Sequence, residues 1–261
     1  MNPRRLHPND LEAIDALLPA DWPPYRKTFE RYFDTSCCQT WGFFDGELVS
    51  MGTLIGFGNS ACLAQIITAA SRQRQGWGTR MVEFLIAEAQ RQGTATLSLV
   101  ATEQGFPLYQ KAGFREDGGY GFWSRLEPAP AQPAFAEVVP WSPEDSQGIV
   151  ELDFVVSGER REPYLGRDLP SAWVVKGAGY FLPSLGEGLV VASTPEAGTA
   201  LLHKRLDGAT KAVVPIENPW AGAVLTSRGF AEHRRARRMI WGPPLGRKPQ
   251  WCWSRIGGNL G

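Results

Sequence analysis

Ile66-Ile-Thr-Ala-Ala-Ser-Arg-Gln-Arg-Gln-Gly-Trp-Gly78, running directly into Thr79 to Gln92, decides the reading of this chain. The first three residues close an apolar, strand-like run, Ala61 to Thr68. The polar, glycine-containing stretch Ser71 to Gly78 then leads into Met81, Val82, Leu85, Ile86 and Ala89, apolar residues at helical spacing with Gly93 as stop. A loop in that position leaves backbone N–H groups free at the positive end of a helix dipole, where a phosphate can be held. Two phosphate loops of other folds do not fit. A Walker loop needs Gly-Lys-Ser/Thr where the chain has Gly78-Thr79-Arg80, and a dinucleotide fingerprint needs a small residue at Met81. Taken alone, the stretch is equally a plain strand-to-helix turn.

Nearer the N-terminus, Asp10 to Leu18 reads as a helix with Leu11, Ile14, Leu17 and Leu18 on one face. Thr40 to Phe44 and Glu47 to Ile55 are strands joined by the Asp45-Gly46 turn signal, hence a hairpin. Thr94 to Thr102 alternates as a strand, and Pro107 to Lys111 is a short helix ended by Gly113. Strand, loop, long helix, strand, short helix, strand describes an α/β unit with a mixed sheet. From Glu127 to Ala134, Pro128, Pro130 and Pro133 remove amide donors and favour an extended connector that cuts the chain nearly in half. The second half repeats the order more loosely: a helix over Ser142 to Val156, a strand at Leu189 to Ala192, a helix from Thr194-Pro195-Glu196 through Leu206, and a strand at Lys211 to Ile216. Leu108-Tyr-Gln-Lys-Ala-Gly-Phe114 is answered by Val224-Leu-Thr-Ser-Arg-Gly-Phe230, a self-similar spacing that suggests two copies of one fold.

The 261 residues, 43% hydrophobic and 21% charged, are ordinary globular composition. Twenty-seven Lys plus Arg balance twenty-seven Asp plus Glu, which points away from nucleic acid or anionic lipid and toward a small or locally recognised ligand. The run Arg234-Arg-Ala-Arg-Arg238 lacks interleaved aromatic platforms, so a solvated strand or inter-domain salt bridges is the reading preferred to nucleic-acid binding. No stretch is long and apolar enough to span a membrane, and Met1 to Asp10 lacks the apolar run of a secretory signal, so a cytoplasmic address is expected. Cys37, Cys38, Cys62 and Cys252, with His7, His203 and His233, show no metal-ligand spacing, and no metal is expected.

The loop and the later Leu108-Tyr109-Gln-Lys-Ala-Gly-Phe114 together resemble the GNAT superfamily of N-acetyltransferases, whose signature is Q/R-x-x-G-x-G/A and, further on, L-Y-x-x-x-G-F. The resemblance covers residues 1 to about 127 and identifies residues 135–261 as a degenerate second copy, as in tandem-GNAT proteins. It implies two tandem domains, each a mostly antiparallel twisted sheet flanked by helices, at 1–127 and 135–261 with a linker at 128–134. Ile66, Ile67 and Thr68 would pair with the pantetheine arm of acetyl-CoA, and Gln73, Arg74, Gln75, Gly76, Trp77, Gly78 and Thr79 would cradle its pyrophosphate. An open strand edge suits an amide-rich arm, and backbone N–H donors suit a diphosphate. Tyr109 falls on the family tyrosine that protonates the departing thiolate; a half-buried aromatic is the plain alternative.

This sequence departs from the family in three ways. Thr102 stands where many members carry the Asn that contacts pantetheine, and a hydroxyl cannot copy an amide. The strand before the loop offers no general base, only Gln65, which leaves water or an acid among Glu103, Asp153 and Glu159, each of which also reads as a surface charge or cap. In the second half, Val190 to Thr199 lacks the loop pattern and Leu225 replaces the tyrosine, while Asn218 and Ala221 keep the family pattern. The resemblance therefore implies an acyltransferase moving acetyl from acetyl-CoA to a small-molecule or peptide amine by direct attack in the cleft between the halves, with the second half as scaffold or pocket wall. A non-catalytic acyl-CoA sensor is the rival reading, and a monomer is the expected state.

Overall fold

Asp45 and Glu47 face each other across Gly46, whose φ of +75° closes the turn, and from this hairpin the first sheet grows. A computed structural model describes residues 2–19, 25–131, 136–258 and 260. Packing divides the chain into two units. One comprises Met1–Leu99, Glu103–Arg115 and Ile240–Pro243; the other comprises Val100–Thr102, Glu116–Met239 and Pro244–Gly261.

The first unit contains, in chain order, β1 (Arg4–Arg5), α1 (Leu11–Leu17), α2 (Arg26–Phe33), β2 (Cys38–Asp45), β3 (Glu47–Gly56), β4 (Ser60–Thr68), α3 (Trp77–Arg91), β5 (Thr96–Ala101) and α4 (Phe106–Lys111). Its strands lie in the order β1-β2-β3-β4-β5, antiparallel except for the parallel pair β4 and β5, which α3 connects as a crossover helix must. Every residue of β3 from Leu48 to Ile55 is buried. The buried stripe of α3, Met81, Val82, Leu85 and Ala89, is what the helical spacing predicts.

The second unit continues with β6 (Arg115–Ser124), β7 (Val139–Pro140), α5 (Ser146–Ser157), α6 (Glu162–Leu165), β8 (Trp173–Val175), β9 (Gly179–Leu182), β10 (Leu189–Ala192), α7 (Pro195–Leu206), β11 (Lys211–Pro215), α8 (Pro219–Ser227), β12 (Ala231–Trp241) and β13 (Cys252–Ser254). Within it β6 lies between β12 and β11, antiparallel to β11, and a separate antiparallel sheet runs β13-β10-β9-β8-β7. Its core gathers Phe181, Val190, Leu201, Leu202, Val214, Leu225, Phe230 and Trp253. β6 precedes the proline-rich seam in sequence yet packs in this unit, so packing divides the chain differently from the seam. The seam itself is tied down where it is described: Ala129 is buried and exchanges backbone hydrogen bonds with Gly208 and Ala209 at 2.9 and 3.0 Å, and Pro130 O accepts from Arg228 Nη2. Residues 132–134 of the expected linker lie outside the described residues.

The self-similar motif has the same geometry twice. Phe114 N–H donates to Tyr109 O and Phe230 N–H to Leu225 O, both at 3.0 Å, across Gly113 at φ +92° and Gly229 at φ +76°. Only glycine enters that left-handed turn without strain, and each turn drops a buried phenylalanine behind its helix. Basic residues of the second unit's tail are largely paired: Arg238 and Arg247 with Asp117, Arg235 with Glu232, Arg237 with Glu116 and Arg255 with Glu187. Among the described residues no helix is long and apolar enough to cross a membrane.

Candidate functional site

β4 changes character halfway along. It pairs with β5 at Ser60, Ala61 and Cys62, and no further pair between the two strands occurs among the described residues. Against β3 its register runs from Met51↔Ile67 to Thr53↔Ala64, so β4 carries one extra residue, and Gln65 sits there at φ +50°. An insertion of this kind bends a strand and re-aims the residues beyond it, which leaves the edge of Leu63 to Thr68 open on the β5 side. Ser50, fully buried on β3, holds the bent end: its Oγ donates to Ile67 O at 3.0 Å and lies 3.1 Å from Thr68 Oγ1.

After Thr68 the chain forms a short turn at Ala70–Arg72 and then an exposed loop, Gln73 to Gly76. Arg74 is at φ +60°, and Gly76, at φ +84°, is the N-cap of α3 with no side chain capping it. The first α-helical bond is Arg80 N–H to Gly76 O at 3.0 Å, so the amides of Trp77, Gly78 and Thr79 precede the helical ladder. No acidic side chain occupies this first turn, and Arg80 stands with its guanidinium 5.0 Å from the ring centre of Trp77. The end is an electropositive, hydrogen-bond-donating surface suited to an anion.

Gly78 ties three parts together. A Cβ on it would stand 3.5 Å from Leu108 Cδ2 and 3.7 Å from Thr68 Oγ1, so the end of β4, the start of α3 and the helix bearing Tyr109 meet there. Tyr109 packs edge-on against Phe114 at 6.0 Å, and its hydroxyl has no hydrogen-bond partner among the described residues. Burial, with a smaller contribution from the Cys62 thiol, pushes the phenol up to about 12, so it keeps its proton at neutral pH. Ile66, Ile67, Thr68, the 73–79 loop and Tyr109 thus belong to one region. Thr102 is exposed, one residue past β5, and groups with the other packing unit.

The acids considered as bases are differently placed. Asp153 is buried and accepts from Arg161 Nε at 3.0 Å, Arg161 Nη2 at 2.6 Å and the Tyr180 hydroxyl at 2.5 Å, which leaves it a structural anion. Glu159 is buried, and burial raises its carboxyl above the usual range. Both lie in the second unit; Glu103 is exposed beyond β5.

The second unit treats its corresponding elements otherwise. α7 begins with Pro195, which has no N–H, and Thr194 Oγ1 accepts from Ala197 N–H at 3.2 Å. β13 pairs with β10 and continues into Arg255, whose N–H reaches Val213 O of β11 at 3.4 Å, so the C-terminal segment stands between β10 and β11. Trp253, fully buried, lies across Gly198 of α7, where any Cβ would collide with the indole. Asn218 Oδ1 accepts from Ala221 N–H, and Nδ2 donates to Cys252 O, both at 2.9 Å. Sequence reasoning misses both the placement of β13 and the support from Ser50. Three residues of strand carry no periodicity, and a serine inside an apolar run carries no motif.

Residues 37–116 match the sequence profile described as Acetyltransferase (GNAT) domain. The chain carries an acetyltransferase domain of the GNAT family. The uncharacterized N-acetyltransferase YitH of Bacillus subtilis (strain 168) is 31% identical over 121 residues, 46% of this chain and 42% of that protein, so the likeness spans less than half of the relative's length. A candidate acetyltransferase from Pyrococcus horikoshii has a crystal structure similar over 100% of this chain and 95% of its own, with TM-score 0.86 and 21% identity. A tandem GNAT protein from the clavulanic acid biosynthesis pathway is similar over 93% of this chain and 99% of its own, with TM-score 0.63 and 16% identity. These two likenesses show the fold alone, over nearly the whole chain.

Proposed function

We propose that this protein transfers the acetyl group of acetyl-CoA to a primary amine of a small-molecule or peptide acceptor. The observation that carries this reading is the meeting at Gly78 of the bent end of β4, the uncapped start of α3 and the helix bearing Tyr109. The cosubstrate supplies the activated acetyl group. The open edge at Ile66, Ile67 and Thr68 holds its amide-rich arm as another strand would be held, and the amides at 73–79 hold its pyrophosphate. A backbone N–H near Ile67 meets the carbonyl oxygen as charge develops on it, and Tyr109 gives its proton to the leaving sulfur. With Asp153 engaged by Arg161 and Tyr180, water carries off the ammonium proton. The second unit serves as scaffold, because its own slot is filled by β13 and the start of α7 is capped.

The test is acetyl-CoA consumption across a panel of primary amines by the wild type and Tyr109→Phe. Turnover on at least one amine that collapses in the variant, with coenzyme A binding retained, supports the reading. Tight coenzyme A binding with no turnover on any amine replaces it by the acyl-CoA sensor, which the absence of a free carboxylate on β4 favours.

A further inference from the structure

In the second unit, His203 of α7 and Arg228, the residue that ends α8, are both buried, and His203 Nδ1 lies 2.7 Å from Arg228 Nη1. A guanidinium has donors only, so at that distance Nδ1 is the acceptor and carries no proton. The imidazole is therefore neutral, with its proton on Nε2. The other arm of the same guanidinium, Nη2, donates to Pro130 O. One residue earlier, Ala129 N–H donates to Ala209 O at 3.0 Å, and Ala129 O accepts from Gly208 N–H at 2.9 Å. Arg228 thus joins a titratable side chain to the proline-rich connector just where that connector is pinned to the end of α7.

The surroundings oppose a second proton on the ring. Burial and the Arg228 charge hold His203 below the ordinary imidazole range. Asp207, just past α7, acts on both members of the pair, and Arg125, whose Nη1 donates to Arg228 O at 2.7 Å, is a further cation. On α7 itself, Lys204 is turned to the Trp173 ring and Arg205 to Lys211 O. The elements packed against α7, namely α8, β8, β9, β10 and β13, carry no Asp, Glu, Lys, Arg or His. Their titratable groups are Tyr180, whose hydroxyl is engaged by Asp153, and the Cys252 thiol, which burial keeps protonated. A proton on Nδ1 would set two donors and two positive charges face to face.

We propose that His203, Arg228 and Pro130 form a proton-operated clasp on the connector: neutral His203 seats Arg228 on Pro130 O, and protonation of His203 displaces the guanidinium and releases the connector. One proton from solvent adds to Nδ1, and the hydrogen bond from Nη1–H to Nδ1 is lost. An opened imidazole titrates near 6.5 and the clasped one lower, so the clasp is complete above about pH 6.5 and is lost as pH falls below it. It is separate from coenzyme A binding in the first unit.

The test is hydrogen exchange on the full chain between about pH 7.5 and 5, corrected for the intrinsic pH dependence of amide exchange. Protection of peptides containing Ala129 and Gly208 is expected to fall about fivefold or more across that range, while peptides of β9 and β10 keep theirs. His203→Gln retains an acceptor for Arg228 and has no proton to gain, so its connector protection stays the same across the range. In the wild type, nitrogen NMR should find the imidazole neutral with its proton on Nε2 at neutral pH and titrating below about 6.5, a readout that depends on no variant. The proposal is overturned if connector protection in the wild type does not change with pH, if it falls equally in His203→Gln, or if His203 titrates at or above the ordinary imidazole value.

Discussion

Asn218 and Cys252 are joined by a hydrogen bond from Nδ2 to the backbone carbonyl at 2.9 Å, while the other end of the same amide caps α8 through Ala221. One side chain thereby fixes both a helix start and the strand that stands between β10 and β11. Asn218→Ala should cost the second unit about 1–2 kcal/mol from the cap alone. Asn218→Asp keeps the acceptor and loses the donor, so urea denaturation should place it between the alanine variant and the wild type.

Gly198 is required by close approach, since Trp253 covers it. Gly198→Ala should lower stability by about 1–3 kcal/mol through overpacking, despite the better helix propensity of alanine. A higher melting temperature in this variant would show that β13 is not seated as described.

Tyr109→Phe should reduce turnover about a hundredfold or more while leaving the melting temperature near the wild-type value, because the hydroxyl has no hydrogen-bond partner among the described residues. The pH dependence has a definite sign. The phenol titrates near 10 when unfolded and about 12 when folded, so the unfolded chain loses its proton first. Stability from this group is complete below pH 10 and is lost as pH rises from 10 toward 12. Phenolate absorbance and urea midpoints across that window should differ between wild type and variant in that direction.

Gly76 at φ +84° opens α3. Gly76→Ala should cost about 1–2 kcal/mol and weaken coenzyme A binding, whereas Gly76→Asn, whose side chain tolerates the left-handed region, should recover most of the stability. Equal destabilisation by both substitutions would place the loop in another conformation.

Ser50 touches no open surface, yet its Oγ holds Ile67 O and Thr68 Oγ1. Ser50→Ala should lose about 1 kcal/mol of stability and raise KM for acetyl-CoA more than it lowers kcat; Ser50→Thr should restore part of the KM. A change in stability alone would reduce Ser50 to a packing residue.

Local chemistry was legible along the chain. Asp45-Gly46 makes its turn, Met81 to Ala89 bury one stripe, and Gly113-Phe114 and Gly229-Phe230 end their helices alike, because each depends on residues a few positions apart. The bulge at Gln65 was not legible, since the nearly continuous apolar run from Ala61 to Thr68 looks the same with or without one extra residue. Nor was the grouping of β6 with β11, which joins residues about ninety apart, or the pairing of Cys252–Ser254 with β10. His203, Arg228 and Pro130 come from separate stretches of chain, and no motif links them.

The plug that β13 provides has a consequence for the life of the molecule. A groove closed by the chain's own strand needs no ligand to cover it. If the open edge of β4 takes coenzyme A as proposed, the front half gains resistance to heat and proteases when that nucleotide is abundant, by mass action. Starvation for coenzyme would then show as a protein that frays from one side only.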